Sequence, residues 1–260
     1  MDVLVVGAGA MGRWFARAVA DAVEEVAFAD VDPAAAERAV SEFGGNVPAR
    51  TAAIDGDERF EVVCLAVPMP AIEDAVATHA DRAEEALVDV TGVMADAVVA
   101  MATLAPDRER VSFHPLFAPE NEPGTVAVVA DQPGPATDRF REALTARGNH
   151  LFETTPEEHD TAMETVQASA HAAILAYALA AADTDVREEF HTPVSAGLTD
   201  LVEQVTGNSP GVYAEIQAAF DGAEAVAAAA EQIADADPET FTKLYERASG
   251  SGERAEHSET

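Results

Sequence analysis

Six residues near the start of the chain, Gly7-Ala8-Gly9-Ala10-Met11-Gly12, constrain its fold more than any other stretch. They follow an apolar run, Val3-Leu4-Val5-Val6, and lead into a helix-patterned segment from Arg13 to Val23. Eighteen residues after Gly12, a second apolar run (Val26-Ala27-Phe28-Ala29) ends in Asp30. Strand, glycine turn, helix, strand and acid, at these separations, are the parts of a dinucleotide-binding βαβ unit. Gly7 permits the tight turn, Gly9 lets the backbone approach a pyrophosphate, and Gly12 lets the helix pack close to the strand. The helix start presents free N–H groups and a positive dipole end to phosphates, with Met11 in its first turn. Asp30 is placed to accept hydrogen bonds from ribose hydroxyls and to repel a 2′-phosphate. No arginine follows it in Val31-Asp32-Pro33 to welcome that phosphate, so NAD is expected rather than NADP. Asp32, just before Pro33, reads instead as a helix N-cap.

The pattern continues as alternating strands and helices. A helix is expected over Ala34 to Phe43, stopped by Gly44-Gly45. Val62 to Val67 is a continuous apolar run suited to a buried parallel strand, ending at Pro68. Further strands are expected at Leu87 to Val90, Val111 to Phe113, Thr125 to Val129 and His150 to Phe152, with helices between them. The expected fold class is α/β: a doubly wound, mostly parallel Rossmann-type sheet over residues 1–153. From 154 to 249 the pattern is only helical, Ala-rich and punctuated by Pro193, Pro210 and Pro238. That segment reads as an all-helical second domain opening with one long helix from about Pro156 to Ala182. Residues 250–260 carry no apolar side chain beyond Ala255 and read as a disordered tail.

Charge excludes some functions. Lysine and arginine total 15 against 48 acids, and Lys243 is the only lysine. Nucleic-acid binding needs clustered cations to neutralise phosphates, and this chain has none. The acids are spread through well-patterned elements rather than gathered in a tail, which suggests a surface adapted to multimolar salt. At about 1 M salt the screening length is only ~3 Å, so the self-repulsion of such a surface is suppressed. No apolar run approaches the roughly 20 residues of a membrane span, and no signal peptide is expected. The single cysteine, Cys64, excludes an intramolecular disulfide and suits a reducing cytoplasm.

Ligands of such sheets bind beyond the carboxyl ends of the strands. Val67-Pro68, Asp89-Val90-Thr91-Gly92 and His114-Pro115-Leu116-Phe117 fall there. His114 is the candidate acid–base group, because a neutral imidazole takes a hydroxyl proton near neutral pH. A histidine bonded to a loop carbonyl is the competing reading. Downstream, Thr155-Pro156 with Glu158 reads as a helix start with a capping box. His159, Met163, Gln167 and His171 then step by four along one helix, either facing a cleft or forming a polar packing seam. No metal site is expected, because a third ligand is missing nearby.

Together these segments resemble the prephenate/arogenate dehydrogenase family of tyrosine biosynthesis. The resemblance rests on the glycine loop, Leu65-Ala66-Val67-Pro68, Asp89-Val90-Thr91-Gly92-Val93 and Phe113-His114-Pro115-Leu116-Phe117-Ala118-Pro119. It continues through Glu158-His159-Asp160, Gln167 and His171 to Pro210-Gly-Val-Tyr-Ala-Glu-Ile-Gln217. It implies oxidative decarboxylation of prephenate, or of its amino analogue arogenate, with NAD, His114 drawing off the hydroxyl proton. It also implies a homodimer formed through the helical domain. In the family a serine stands where this chain has Gly92, a lysine where it has Met94, and a substrate-binding arginine at the position aligned with Gln204. No arginine occurs between Arg187 and Arg247. A dianionic substrate then depends on other groups: Thr91 in place of the serine hydroxyl, and His171, backbone amides or an arginine of another subunit for the carboxylates, with His159, Gln167 and Gln204 also lining the site. A different hydroxy-acid dehydrogenase on the same plan, and a NAD-binding paralogue without catalysis, are the alternatives to prephenate turnover.

Overall fold

The computed structural model describes residues 1–182, 186–207 and 209–252. The chain divides after Ala162 into two compact units.

In the first unit the apolar runs form an eight-stranded sheet. Its strands are β1 (Asp2–Val6), β2 (Glu25–Ala29), β3 (Ala49–Thr51), β4 (Phe60–Leu65), β5 (Ala83–Asp89), β6 (Glu109–Pro115), β7 (Thr125–Gln132) and β8 (His150–Glu153). They lie in the order β3-β2-β1-β4-β5-β6-β7-β8, and every pairing is parallel except β6 with β7. Successive side chains on a strand point to opposite faces. Val3, Val5, Cys64 and Val88 therefore join one core, while Leu4, Val6, Leu65 and Leu87 join another. Because both faces are covered, the strands read as unbroken apolar runs rather than alternating ones.

Helices α1 (Ala10–Ala18), α2 (Pro33–Ser41), α3 (Ile72–His79), α4 (Met94–Leu104) and α5 (Pro135–Ala146) supply that cover. Trp14 and Phe15 of α1, Ala36 and Ala39 of α2, and Phe140 of α5 pack on one face. Ile72 and Val76 of α3 and Ala97 and Met101 of α4 pack on the other. Local signals behave as their chemistry dictates: the Asp32 carboxylate accepts from the Ala34 N–H at 3.1 Å as the N-cap of α2, and Gly44 takes φ +64° past its end. Edge strand β3 was not expected, because Ala-Arg-Thr is too short to show a period. Helix α1 is shorter than expected, giving way to a 3-10 turn at Ala20–Ala22.

The second half of the chain is helical, as expected. Its helices are α6 (Pro156–Met163), whose last residue falls past the division, then α7 (Ala170–Ala181), α8 (Pro193–Thr206), α9 (Pro210–Ala219), α10 (Gly222–Ala234) and α11 (Pro238–Gly252). The Thr155 hydroxyl accepts from the Glu158 N–H at 3.2 Å, but the Glu158 carboxylate turns to the Thr154 hydroxyl, so only half of the expected capping box forms. The expected single helix over Pro156 to Ala182 is interrupted by a π-helical turn, Glu164–Ser169. Gln217 of α9 donates to the Ala168 carbonyl at 2.9 Å, and Gly222 lies so close that a Cβ there would stand 2.4 Å from the Ser169 nitrogen. These contacts hold the wide turn open. A four-residue step presumes α-helical phase, and a turn closed from i to i+5 breaks it. His159, Met163, Gln167 and His171 therefore do not form one stripe. Helix α11 runs three residues past Ser249, and residues 253–260 of the expected tail lie outside the described residues. No helix among the described residues is long and apolar enough to cross a membrane.

Phe15 is fully buried and meets Phe140 edge-on with ring centroids 5.4 Å apart. Phe15→Ala is expected to cost about 3–5 kcal/mol of stability, read from the urea midpoint at unchanged slope.

Candidate active site

At the point where strand order reverses, β1 lies between β2 and β4, and the glycine loop leaves its carboxyl end. Gly7 has φ +97°, and a Cβ there would stand 2.2 Å from the Ala66 carbonyl oxygen. At Gly12 a Cβ would stand 1.9 Å from the Gly7 carbonyl oxygen. Both positions require glycine for the protein's own packing. Gly9 differs: nothing lies within 4 Å of a Cβ built there, and the residue is exposed at the start of α1. Its missing side chain leaves open space beside the unsatisfied N–H groups of the first helical turn, where Met11 is half-buried. That opening fits a pyrophosphate.

Asp30 follows β2 beside this loop. Its Oδ2 accepts from the Ala8 N–H at 2.7 Å and its Oδ1 from the Asp32 N–H at 2.8 Å. A carboxylate has about four lone-pair sites, so two remain for ribose hydroxyls. The same group thus braces the loop and retains acceptors. Val67, half-buried, and Pro68, exposed, continue the chain from β4 on the neighbouring side.

A second constellation sits beyond β5 and β6. His114, near the end of β6, is only 8% exposed, and its Nδ1 lies 2.8 Å from Nε2 of His159 on α6. His159 in turn places Nδ1 2.7 Å from Oδ1 of Asp160. The Asp160 carboxylate caps the start of α4, accepting from the Met94 N–H at 3.0 Å and the Ala95 N–H at 3.1 Å. A helix N-terminus favours a negative charge at this place. Burial, joined by the neighbouring His159, lowers the His114 pKa to about 3, with Asp160 pulling weakly the other way. For Asp160, burial opposes the charge, but His159 and the two backbone N–H groups outweigh it and hold the carboxyl below its ordinary value. His114 is therefore a neutral imidazole.

Its remaining nitrogen, Nε2, faces Gly92: a Cβ at that glycine would stand 3.7 Å from it and 3.1 Å from the Met69 methyl carbon. The turn carrying Gly92 is held by Asp89, fully buried at the end of β5. Asp89 Oδ2 accepts from the Thr91 hydroxyl at 2.6 Å and the Thr91 N–H at 3.0 Å. Burial raises the Asp89 pKa to about 6 against the pull of these bonds. Thr91 is 3% exposed, and both acceptors of its hydroxyl proton, Asp89 and the Val93 carbonyl, belong to the protein. It has no hydrogen left for a substrate carboxylate.

His159 likewise spends both ring nitrogens within the protein. Asp89 and Asp160 hold parts of this site although their sequence positions alone assign them no role. An acid closing a buried strand, and an acid next to a histidine in the first turns of a helix, were the available signals.

Gln167, His171 and Gln204 belong to the second unit. Gln167 lies half-buried in the π turn, and Gln204 lies on the exposed side of α8. The His171 ring meets the Tyr213 ring edge-on at 4.8 Å, and burial lowers its pKa. Its Nδ1 is buried without a hydrogen-bond partner among the described residues.

Residues 1–97 match a family described as "Oxidoreductase family, NAD-binding Rossmann fold". The NAD site is thus carried by the unit whose glycine loop is described above. Over 94% of its length the chain is 30% identical to 4-amino-4-deoxyprephenate dehydrogenase of Streptomyces pristinaespiralis, spanning 88% of that protein. Over 82% of its length it is 25% identical to a protein of Methanocaldococcus jannaschii described as a probable arogenate/prephenate dehydrogenase, of which it spans 50%. Among solved structures, prephenate dehydrogenase of Aquifex aeolicus in complex with hydroxyphenyl propionate and NAD+ shares its fold. The TM-score is 0.71 at 17% identity, covering 97% of this chain and 98% of that one. By its near full-length similarity to such a relative, and by its NAD-binding domain, the chain belongs to the prephenate/arogenate dehydrogenase family of oxidoreductases.

Proposed function

We propose that the protein is a NAD-dependent prephenate dehydrogenase of tyrosine biosynthesis, forming 4-hydroxyphenylpyruvate and carbon dioxide. The observation that carries this reading is a buried, neutral His114 whose Nε2 faces the glycine turn beyond β5. When bound, NAD supplies the hydride acceptor. Gly7, Gly9, Met11 and Gly12 seat its pyrophosphate, Asp30 its ribose, and Val67-Pro68 flank it. His114 Nε2 takes the proton of the C4 hydroxyl as that carbon becomes a carbonyl. Breaking the bond to the ring carboxylate releases carbon dioxide, and its electron pair aromatises the ring. The phenolate oxygen then reclaims the proton from His114. The protein's contribution is orientation and a proton acceptor.

A second reading is favoured by the Streptomyces pristinaespiralis relative: a ring substrate carrying an amine in place of the C4 hydroxyl. An amine N–H meets the bare Nε2 as a hydroxyl does, so a panel of prephenate, arogenate and 4-amino-4-deoxyprephenate separates the readings. A homodimer through the helical unit is supported by its thin core. Few of its side chains are buried, while Val194, Leu179 and Ile233 are exposed. An Ala-rich groove lined by Leu175, Leu179 and Val226 suits a second copy.

His114→Asn is expected to leave NAD affinity near wild type while turnover falls about 10²–10⁴-fold in a 340 nm assay. A base with a lowered pKa stays unprotonated in more acid solution. The acid limb of kcat/KM due to His114 is therefore expected below pH 5, not at the ordinary histidine value. Asp30→Ala is expected to weaken NAD and to narrow the gap between NAD and NADP in titrations followed by fluorescence. The acid excess supports a salt-adapted surface, for which the melting temperature should rise between about 0.1 M and about 2 M KCl. A melting temperature independent of salt would remove that reading.

A further inference from the structure

The geometry points to a positioning role for His159 and Asp160: together they keep the proton of the resting His114 ring on Nδ1, so that Nε2 stands bare as the base. This inference rests on the reaction proposed above, and it assigns neither residue a contact with substrate.

Each hydrogen in the line is assigned by the one before it. Asp160 is ionised and only accepts, and its Oδ1 already receives the Met94 N–H. The hydrogen between Oδ1 and His159 Nδ1 therefore belongs to His159. With a single ring hydrogen, spent on Asp160, His159 presents a bare Nε2, and the hydrogen between this atom and His114 Nδ1 then belongs to His114. A neutral imidazole carries one N–H, which leaves His114 Nε2 without one. Reversing any member would put a proton on the nitrogen that faces Gly92 and turn the base into a donor. The anchor is rigid, because two backbone N–H groups at the start of α4 fix both Asp160 oxygens. After His114 takes the substrate proton at Nε2, its Nδ1–H still donates to His159. The Asp160 charge at the far end favours the protonated pair until the proton returns to the phenolate.

The experiment has two arms. In the first, histidine-labelled enzyme without substrate is read by 15N NMR, with signals assigned through the His114→Asn and His159→Gln variants. The expected result is Nδ1–H and bare Nε2 for both His114 and His159. A proton on His114 Nε2 overturns the inference. In the second arm, His159→Leu, which removes the acceptor, is compared with His159→Gln, whose amide oxygen can accept the same bond. His159→Leu is expected to lower kcat about 10²-fold or more with KM and NAD affinity little changed, and His159→Gln to recover most of that loss. Asp160→Asn, which keeps an acceptor but drops the charge, is expected to fall between them. Equal kcat in the leucine variant and wild type overturns the inference, as does equal loss in the leucine and glutamine variants. The expected tautomers in an enzyme that turns over none of the three ring substrates would refute the proposed reaction while upholding the relay.

Discussion

The close approach of three backbone segments at Gly7 and Gly12 underlies the whole cofactor site. Gly7 sits against the Ala66 carbonyl after β4, and Gly12 sits against the Gly7 carbonyl, so β1, α1 and the end of β4 meet with no room for a single extra carbon. This contact brings the start of α1 to the carboxyl edge of the sheet and aims its unsatisfied N–H groups outward. Asp30 ties the same loop to the end of β2 through Ala8. The opening beside Gly9, where nothing lies within 4 Å of a built Cβ, sits between these two tight contacts in the sequence.

On the other side of the sheet's carboxyl edge, burial decides the chemistry. Removing His114 from water disfavours its cationic form and leaves it a base at any ordinary pH. The opposite sign applies to Asp89, whose buried carboxyl is harder to ionise than a free one. Asp160 escapes this penalty only because the start of α4 and His159 supply three donors. Two buried titratable groups and one half-buried carboxylate thus take different protonation habits within one site, according to the partners each fold element brings. Acid stability follows the same signs. His114 and His79, with lowered folded pKa values of about 3 and about 4, contribute stability that is lost as pH falls below 6.5 toward those values. Asp89, with a raised value of about 6, works the other way, contributing stability below about pH 4 that is lost as pH rises through 6.

The helical unit is governed by another constraint. Its helices are alanine-rich and bury few large side chains, and the π turn at Glu164–Ser169 is secured by one glutamine and one glycine. A π turn of this kind costs regular hydrogen bonding and recurs at functional positions in helices. Here it sets the phase on which Gln167 and His171 project.

Much of the sheet was legible in the sequence because its signals are local. An apolar run of five or six residues, a glycine triplet at fixed offsets and an acid at the next strand's end each follow from the geometry of a few neighbouring residues. The N-cap at Asp32 and the left-handed stop at Gly44 were legible for the same reason. His114 was legible as a candidate because it ends a strand. What only the tertiary structure decided are facts that join distant parts of the chain. Asp160 reaches Met94 and Ala95 across more than sixty residues, and His159 reaches His114 across 45. Gly222 meets the π turn, and Thr91 spends its hydroxyl on Asp89 rather than offering it outward. Periodicity and spacing carry the backbone's short-range geometry. Which buried group donates, which accepts and which stays neutral depends on partners that meet only when the chain has folded.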